Sequence, residues 1–502
     1  MSTVRKQSII SSLVIYFGFA LGLFNTYLFT RKGGFTEAQF GLTGIFIAIA
    51  NIMFSVASLG MPAYIGKFFP YYQTHLKREK NDLLTWALLI PVLGFGLVLI
   101  FGYFFKNILI DKVFSNSPEL PQYYYWTFPF GFGLTLFMVL EAYAWQQRKA
   151  VLSNFSREVL FRLFTTTLIV LTITGVITSF DVFIRFYAFE YIALSLILIL
   201  YFIATRKFHF VFEPSKVTKR FRDKIILLCS FVWGGSLVYN IANVFDTIVL
   251  AAVLPNGIAM AGIFTFAQNL SSLIQAPQRG IISASVGPLS QAWKDKDLTK
   301  INTIYYRSSV NQLLFSCAMF CLIWLNFDEG IRSFNLKESF LQAKDVFLFI
   351  GLMRIVDMGT GVNAQIISTS IFWRFEFLTG LLLLALALPL NYLLTIKLGL
   401  IGPSISNLIA FTIYNGIRYG YLLRKFRMQP FNRNTVIIFL LAGSVYVACL
   451  FLFKSQHGLG WIIIRSFCYL LLFGGGAIFL KLSPDIIPVG QTLLKKLRLQ
   501  HD

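Results

Sequence analysis

Arg279 lies inside an otherwise apolar stretch, two residues after Pro277. Within residues 258–286 it follows Gln268, Ser272 and Gln275 at offsets of 4, 7 and 11 from the first, which places all four on one narrow face of a helix. A guanidinium stays charged at any relevant pH and binds phosphate through two parallel hydrogen bonds, and the amides and hydroxyl beside it suit a hydroxyl-rich ligand. The competing reading is an arginine two turns from the end of its stretch, snorkelling to headgroups. A second stripe, in residues 225–253, carries Ser236, Asn240, Asn243 and Thr247 at the same spacing, with Asp246 at its edge. A lone carboxylate in apolar surroundings can take up a proton or a cation, so Asp246 is either a coupling group or a structural acid held near Asn243. In residues 345–369, Arg354, Asp357, Gly361, Gln365 and Ser368 share a face. Arg354 and Asp357 are three apart, and they either neutralise each other or line and gate a cavity. Asn25 and Asn51 add single polar groups in two further apolar stretches.

The elements that must position these groups are membrane helices. The 502 residues are 56% hydrophobic and only 13% charged, about half the charge of a soluble protein. At about 20 apolar residues per crossing, fourteen spans are predicted, near 9–29, 40–64, 83–105, 123–145, 159–179, 182–204, 225–253, 258–286, 304–326, 345–369, 375–396, 400–423, 435–453 and 461–480. The fifth and sixth, and the eleventh and twelfth, are joined by very short turns, so the count is 12–14. Residues 9–29 follow Arg5 and Lys6 but are too long for a signal-peptide core, and they read as a retained first helix.

The net charge of +22 comes in short Lys/Arg clusters between apolar runs. With the N-terminus in the cytoplasm, 30 of the 44 basic residues fall on the inner side and 11 on the outer, while Arg279, Arg354 and Arg418 lie within spans. This bias places both termini inside. No basic stripe is interleaved with stacking aromatics, so nucleic acid is not an expected partner. The five cysteines all fall in apolar runs, Cys317 and Cys321 without a nearby His, which predicts small buried hydrophobes rather than a metal site or disulfide framework. Neither a metal nor a cofactor is expected. Asp295-Lys296-Asp297 has the form of a glycosyltransferase metal motif but sits in a short Lys-rich loop and reads as a solvated charge run. Gly94 and Gly96 lie inside an apolar helix and read as packing positions. Connections stay short, at most about 20 residues, which leaves little room for a polar enzymatic site.

The two halves resemble each other. From Gly41 to Lys80 the order is glycine, apolar helix, Pro62, Gly66, Pro70, then Lys77 and Lys80; from Gly262 to Lys300 it is glycine, helix, Pro277, Gly280, Pro288, then Lys294 and Lys296. Arg-Lys-Phe recurs at Arg206–Phe208 and Arg424–Phe426. A parallel repeat of six helices each is implied, a common transporter design with the substrate site between the repeats. The predicted organisation is a six-helix lobe over 1–205, a basic cytoplasmic linker over 206–224, a second six-helix lobe over 225–424, and two extra helices with a tail over 425–502.

Several short motifs are similar to those of the polysaccharide/O-antigen flippases of the multidrug/oligosaccharidyl-lipid/polysaccharide exporter superfamily. They are the Gly33–Gly41 turn with its Phe40-Gly41, Leu59-Gly60-Met61-Pro62, Asn243-Val-Phe-Asp246, the Gly262-Ile-Phe-Thr opening, Pro288-Leu289-Ser290 closing that helix, and Leu398-Gly-Leu-Ile-Gly402. The resemblance implies a two-lobed cavity open to one side at a time. It also implies a bacterial inner-membrane location, polysaccharide-assembly proteins as partners, and a cargo of undecaprenyl-linked oligosaccharide moved outward. Arg279 would then grip pyrophosphate, with Gln268, Ser272, Gln275, Asn240, Asn243, Arg354, Gln365, Asn25 and Asn51 lining the cavity and Asp246 and Asp357 serving coupling or gating. The competing functions are a cation-coupled multidrug-type exporter, a lipid II flippase and, in a different class, a membrane polysaccharide polymerase or ligase.

Overall fold

The computed structural model describes residues 3–485; the basic tail beyond, with Lys495, Lys496 and Arg498, lies outside the described residues. Those described are helical, with no strand among them. The principal helices are α1 (Thr3–Thr30), α2 (Glu37–Ala57), α3 (Met61–His75), α4 (Leu83–Phe104), α5 (Thr127–Gln146), α6 (Phe161–Ile173), α7 (Phe180–Ala188), α8 (Glu190–Ala204), α9 (Lys216–Val253), α10 (Gly257–Gln275), α11 (Gln278–Lys294), α12 (Leu298–Ser333), α13 (Ala343–Gly359), α14 (Trp373–Leu398), α15 (Gly402–Phe426), α16 (Arg433–Leu452) and α17 (Leu459–Phe479).

Among the described residues, ten stretches are long and apolar enough to cross a membrane, and large apolar side chains such as Leu97, Phe101, Leu440, Phe451 and Phe467 stand exposed on them. That outward apolar surface is what a lipid solvent requires. One of the ten, Arg374–Phe426, holds both α14 and α15, separated by a 3₁₀ turn over Gly399–Ile401 in which Gly399 has φ +64°. Two other expected spans are broken, while the first lies within the continuous helix α1: the fifth begins with a π turn over Ser156–Leu160 before α6, and the tenth is interrupted after α13.

The chain packs as two compact units, Met1–Thr265 and Phe266–Asp502. In the first, α5 lies at the centre against α2, α3, α4 and α8. Small residues let these helices approach: a methyl group on Gly133 would strike the backbone of Tyr191 and Ile192, and one on Gly94 would strike Ala57, as expected of a packing glycine. The Gly33–Gly41 motif has a physical role. Thr36 and Gln39 form a reciprocal capping box at the start of α2 (3.1 and 2.8 Å), and Gly41 meets the backbone of Ile258 and Gly262. The opening glycines of the two repeated segments therefore pack against each other.

The second span, expected to run unbroken from 40 to 64, turns sharply at Leu59 (φ 45°) and Gly60 (φ 76°), where the bare Gly60 backbone abuts Cys229 of α9. The expected linker 206–224 is only half a linker, because Ser215 caps α9 and the helix starts at Lys216. That start is anchored by buried Asp82, which accepts from the Ser215 N–H (2.9 Å) and the Thr218 hydroxyl (2.6 Å).

In the second unit α12 is the axis. Helices α16 and α17 pack along it through Val310, Cys317, Ile438, Cys449, Tyr469 and Phe473. Buried Arg465 of α17 donates to the backbone oxygens of Leu325 and Gln456 (3.2 and 2.8 Å), which binds these last helices to the axis. The acids of the metal-like motif are spent locally. Asp297 caps α12 through the Lys300 N–H, and Asp295 accepts from Gln291. Pro288, expected to close its helix, lies inside α11, which continues to Lys294.

Candidate functional site

The expected helix 258–286 is broken. Pro277 cannot donate to the preceding turn, α10 ends at Gln275, and α11 begins anew at Gln278. The face shared by Gln268, Ser272 and Gln275 therefore does not continue to Arg279. The break swings the adjacent residue, Gln278, into the interior instead. Gln275 donates to the Gln278 carbonyl oxygen (2.7 Å), and Gln278 donates to the Asp357 carboxylate (2.9 Å).

Asp357 is the hub of the second unit. Its other oxygen accepts from Asn415 of α15 (3.2 Å), whose own carbonyl oxygen accepts from Thr360 (3.1 Å) and Asn363 (3.0 Å). Thr360 also donates to the Asp357 backbone oxygen (2.9 Å). Gln278, Thr360, Asn363 and Asn415 are buried, while Asp357 itself is half-buried. Three residues from Asn415, buried Arg418 pairs with Glu376 of α14 and lies over the Tyr414 ring. The Asp357 carboxylate thus accepts from two amides and lies within electrostatic reach of the Arg418 guanidinium, a polar centre whose neighbours can re-pair as its charge changes.

The face proposed for residues 345–369 is likewise interrupted. After α13 the chain turns through Thr360–Gly361–Val362, with Gly361 at φ +62° against Ser308 and Ser309, before the short helix Asn363–Ser368. Arg354 and Asp357 stay on α13, but Gln365, half-buried on the short helix, leaves their stripe. Arg279 stands exposed in the first turn of α11, next to Gln278, at a helix start that no side chain caps, and a methyl group on Gly280 would meet only open space. A guanidinium at the positive end of a helix makes a locally cationic position that favours an anion.

In the first unit the α9 stripe is continuous. Asn240 donates to Ser236 (3.1 Å), Asn243 is exposed and donates to its own helix at Tyr239 (3.0 Å), and Asp246 and Thr247 are buried. Asn51 donates to Ile47 one turn back (2.7 Å). Asn25 is a clamp between helices: its amide donates to the Arg162 backbone oxygen (2.9 Å) and its carbonyl accepts from Thr166 of α6 (2.5 Å). Glu158 and Arg162, one turn apart, form an ion pair at 3.1 Å. Glu141, Glu190 and Glu376 each have a partner: Arg157 (3.2 Å), Thr165 (2.9 Å) and Arg418.

Sequence reasoning missed Gln278, Thr360, Asn363 and Asn415. An amide immediately after Pro277, and Asn415 three residues before an intramembrane arginine, were the available signals.

No family model matches the sequence, and no curated relative matches it. Solved structures do. A lipid II flippase MurJ, in an inward closed conformation, superposes with TM-score 0.73 at 17% identity, over 94% of this chain and 99% of that one. An inward-facing multidrug resistance MATE family transporter of the MOP superfamily superposes with TM-score 0.60 at 15% identity, over 82% of this chain and 94% of that one. An outward-facing MATE transporter of that superfamily matches with TM-score 0.50 at 17% identity, over 90% and 97%. At these identities the likeness is one of fold, and the chain has the membrane-helical fold of the MOP-superfamily transporters.

Proposed function

We propose that this protein is a flippase that carries an undecaprenyl-pyrophosphate-linked oligosaccharide from the inner to the outer leaflet of the bacterial cytoplasmic membrane, for cell-surface polysaccharide, by alternating access. The observation that carries the reading is Arg279. It is exposed at an uncapped helix start, beside open space at Gly280, one residue from the Asp357 cluster. A pyrophosphate leaving water needs a permanent cation with bidentate geometry, and arginine supplies it. Asn240, Asn243, Gln268, Ser272 and Gln275 offer the amide and hydroxyl groups that sugars hydrogen-bond. Asn25 is better read as scaffold, since both ends of its amide are held by α6. Asp357 is the preferred coupling group, with Asp246 second, because Asp357 is only partly buried, with Gln278 and Asn415 on its carboxylate, whereas Asp246 is buried.

The test is to deplete the protein in its native cell and assay lipid-linked oligosaccharide on each leaflet. Accumulation on the inner leaflet is the expected result. Loss of viability with lipid II trapped inside would favour a second reading, a lipid II flippase, which the likeness in fold to MurJ supports. Export of cationic small molecules by purified protein, with surface polysaccharide unchanged, would indicate a multidrug-type exporter. New glycosidic product from lipid-linked sugar in detergent would indicate an enzyme.

A further inference from the structure

The second unit carries a cavity of about 650 Å³ that the transport reading does not use, formed on α14 and α15. Its floor is the face of α15 bearing Ile413, Gly416, Ile417 and Gly420, where methyl groups added to the two glycines would meet only open space. One wall is Phe375 stacked on Tyr421, with ring centroids 4.0 Å apart. At its end stand Arg424 and Lys425, both exposed, with the Lys425 ammonium 3.5 Å from the Phe372 ring centroid.

The charge at this end is not cancelled nearby. The acid on the adjacent turn of α14, Glu376, is already paired with Arg418, and residues 424–433 contain four basic groups and no acid. The opposite face of α15 holds Asn415 and Arg418 in the buried polar cluster, so the groove faces away from that cluster. An apolar trough the width of two missing side chains, closed at its end by Arg424 and by Lys425 over the Phe372 and Tyr421 rings, complements one ligand chemistry. That chemistry is an acyl chain joined to an anionic phosphate. The Lys/Arg bias turns this end of α15 toward the inner leaflet.

We propose that this groove binds one anionic phospholipid of the inner leaflet, its chain over Gly416 and Gly420 and its phosphate on Arg424 and Lys425. The lipid would brace α15 from the face opposite Asn415.

Native mass spectrometry of the full chain in mild detergent, titrated with phosphatidylglycerol or with phosphatidylcholine of the same chains, tests this. One phosphatidylglycerol should bind in preference to phosphatidylcholine. Its affinity should fall roughly fivefold for each charge removed in Arg424→Gln and Lys425→Gln. Gly416→Leu with Gly420→Leu, filling the trough, should exclude both lipids while leaving Arg424 and Lys425 in place. Equal binding of the two lipids, or unchanged binding in the charge variants, would overturn the proposal. So would displacement by a polyprenyl phosphate at lower concentration than phosphatidylglycerol, or a dimer that disappears in the glycine variants.

Discussion

The polar residues of the two units are put to different uses. In the first, Asn25, Glu141, Glu190 and Asp82 are each buried, and each is tied to one neighbouring segment: α6, Arg157, Thr165 and the start of α9. In the second, Gln275, Gln278, Thr360, Asn363 and Asn415 form one hydrogen-bonded network around the half-buried Asp357, with an exposed arginine one residue from Gln278. A polar group in a membrane helix is costly in either setting. Pairwise satisfaction between two helices marks scaffold. Convergence on an accessible charge marks a place where something can bind or change.

Substitutions that should leave one side of this contrast intact while damaging the other will break or sharpen it. The largest effect is expected at the most buried ion pair of the second unit among the described residues, Arg418–Glu376. Arg418→Ala leaves Glu376 facing a buried cation's vacated site and should cost about 3–5 kcal/mol, read as loss of the folded protein in detergent thermal unfolding, whereas Arg418→Lys should recover part of it. Gly41→Leu, which drives a side chain into the Ile258 backbone, should cost about 1–3 kcal/mol or more and lower the amount of inserted protein. Arg279→Ala should leave thermal stability within about 0.5 kcal/mol, since the residue is exposed. The same change should weaken binding of a pyrophosphate-linked lipid roughly 10–150-fold, the scale of a lost charge-assisted hydrogen bond. Asn25→Ala should do the reverse at the smallest scale: about 1 kcal/mol of stability lost, measured by the same unfolding assay, with transport per folded molecule unchanged.

The helical membrane architecture was legible because hydropathy integrates over twenty residues and is insensitive to local detail. The same averaging hid the breaks. Apolar content runs straight through Leu59-Gly60, Ala276-Pro277 and Gly361-Val362, so each reads as continuous helix although the chain turns there. A face drawn at a constant 100° per residue is meaningless past such a turn, which is why Arg279 and Gln365 were assigned to stripes they leave. Gln278, three residues after Gln275, stays within reach of it across the break at Pro277, whereas Arg279 does not stay on the stripe. Arg418 and Glu376 could not be matched from sequence because their contact joins two helices across 42 positions. Where no break intervenes, as along Ser236 and Asn240, the periodicity held.

The central claim is that this protein moves a pyrophosphate-linked saccharide lipid using Arg279 rather than the inter-helix clamps. It is tested most directly in vesicles reconstituted with wild type, Arg279→Ala or Asn25→Ala and loaded with a lipid-linked oligosaccharide whose outer-leaflet fraction is read by a membrane-impermeant sugar-modifying probe. The account predicts transbilayer movement with wild type and Asn25→Ala and little or none with Arg279→Ala. Movement at the wild-type rate by Arg279→Ala, or none by wild type under an imposed ion gradient, would contradict it.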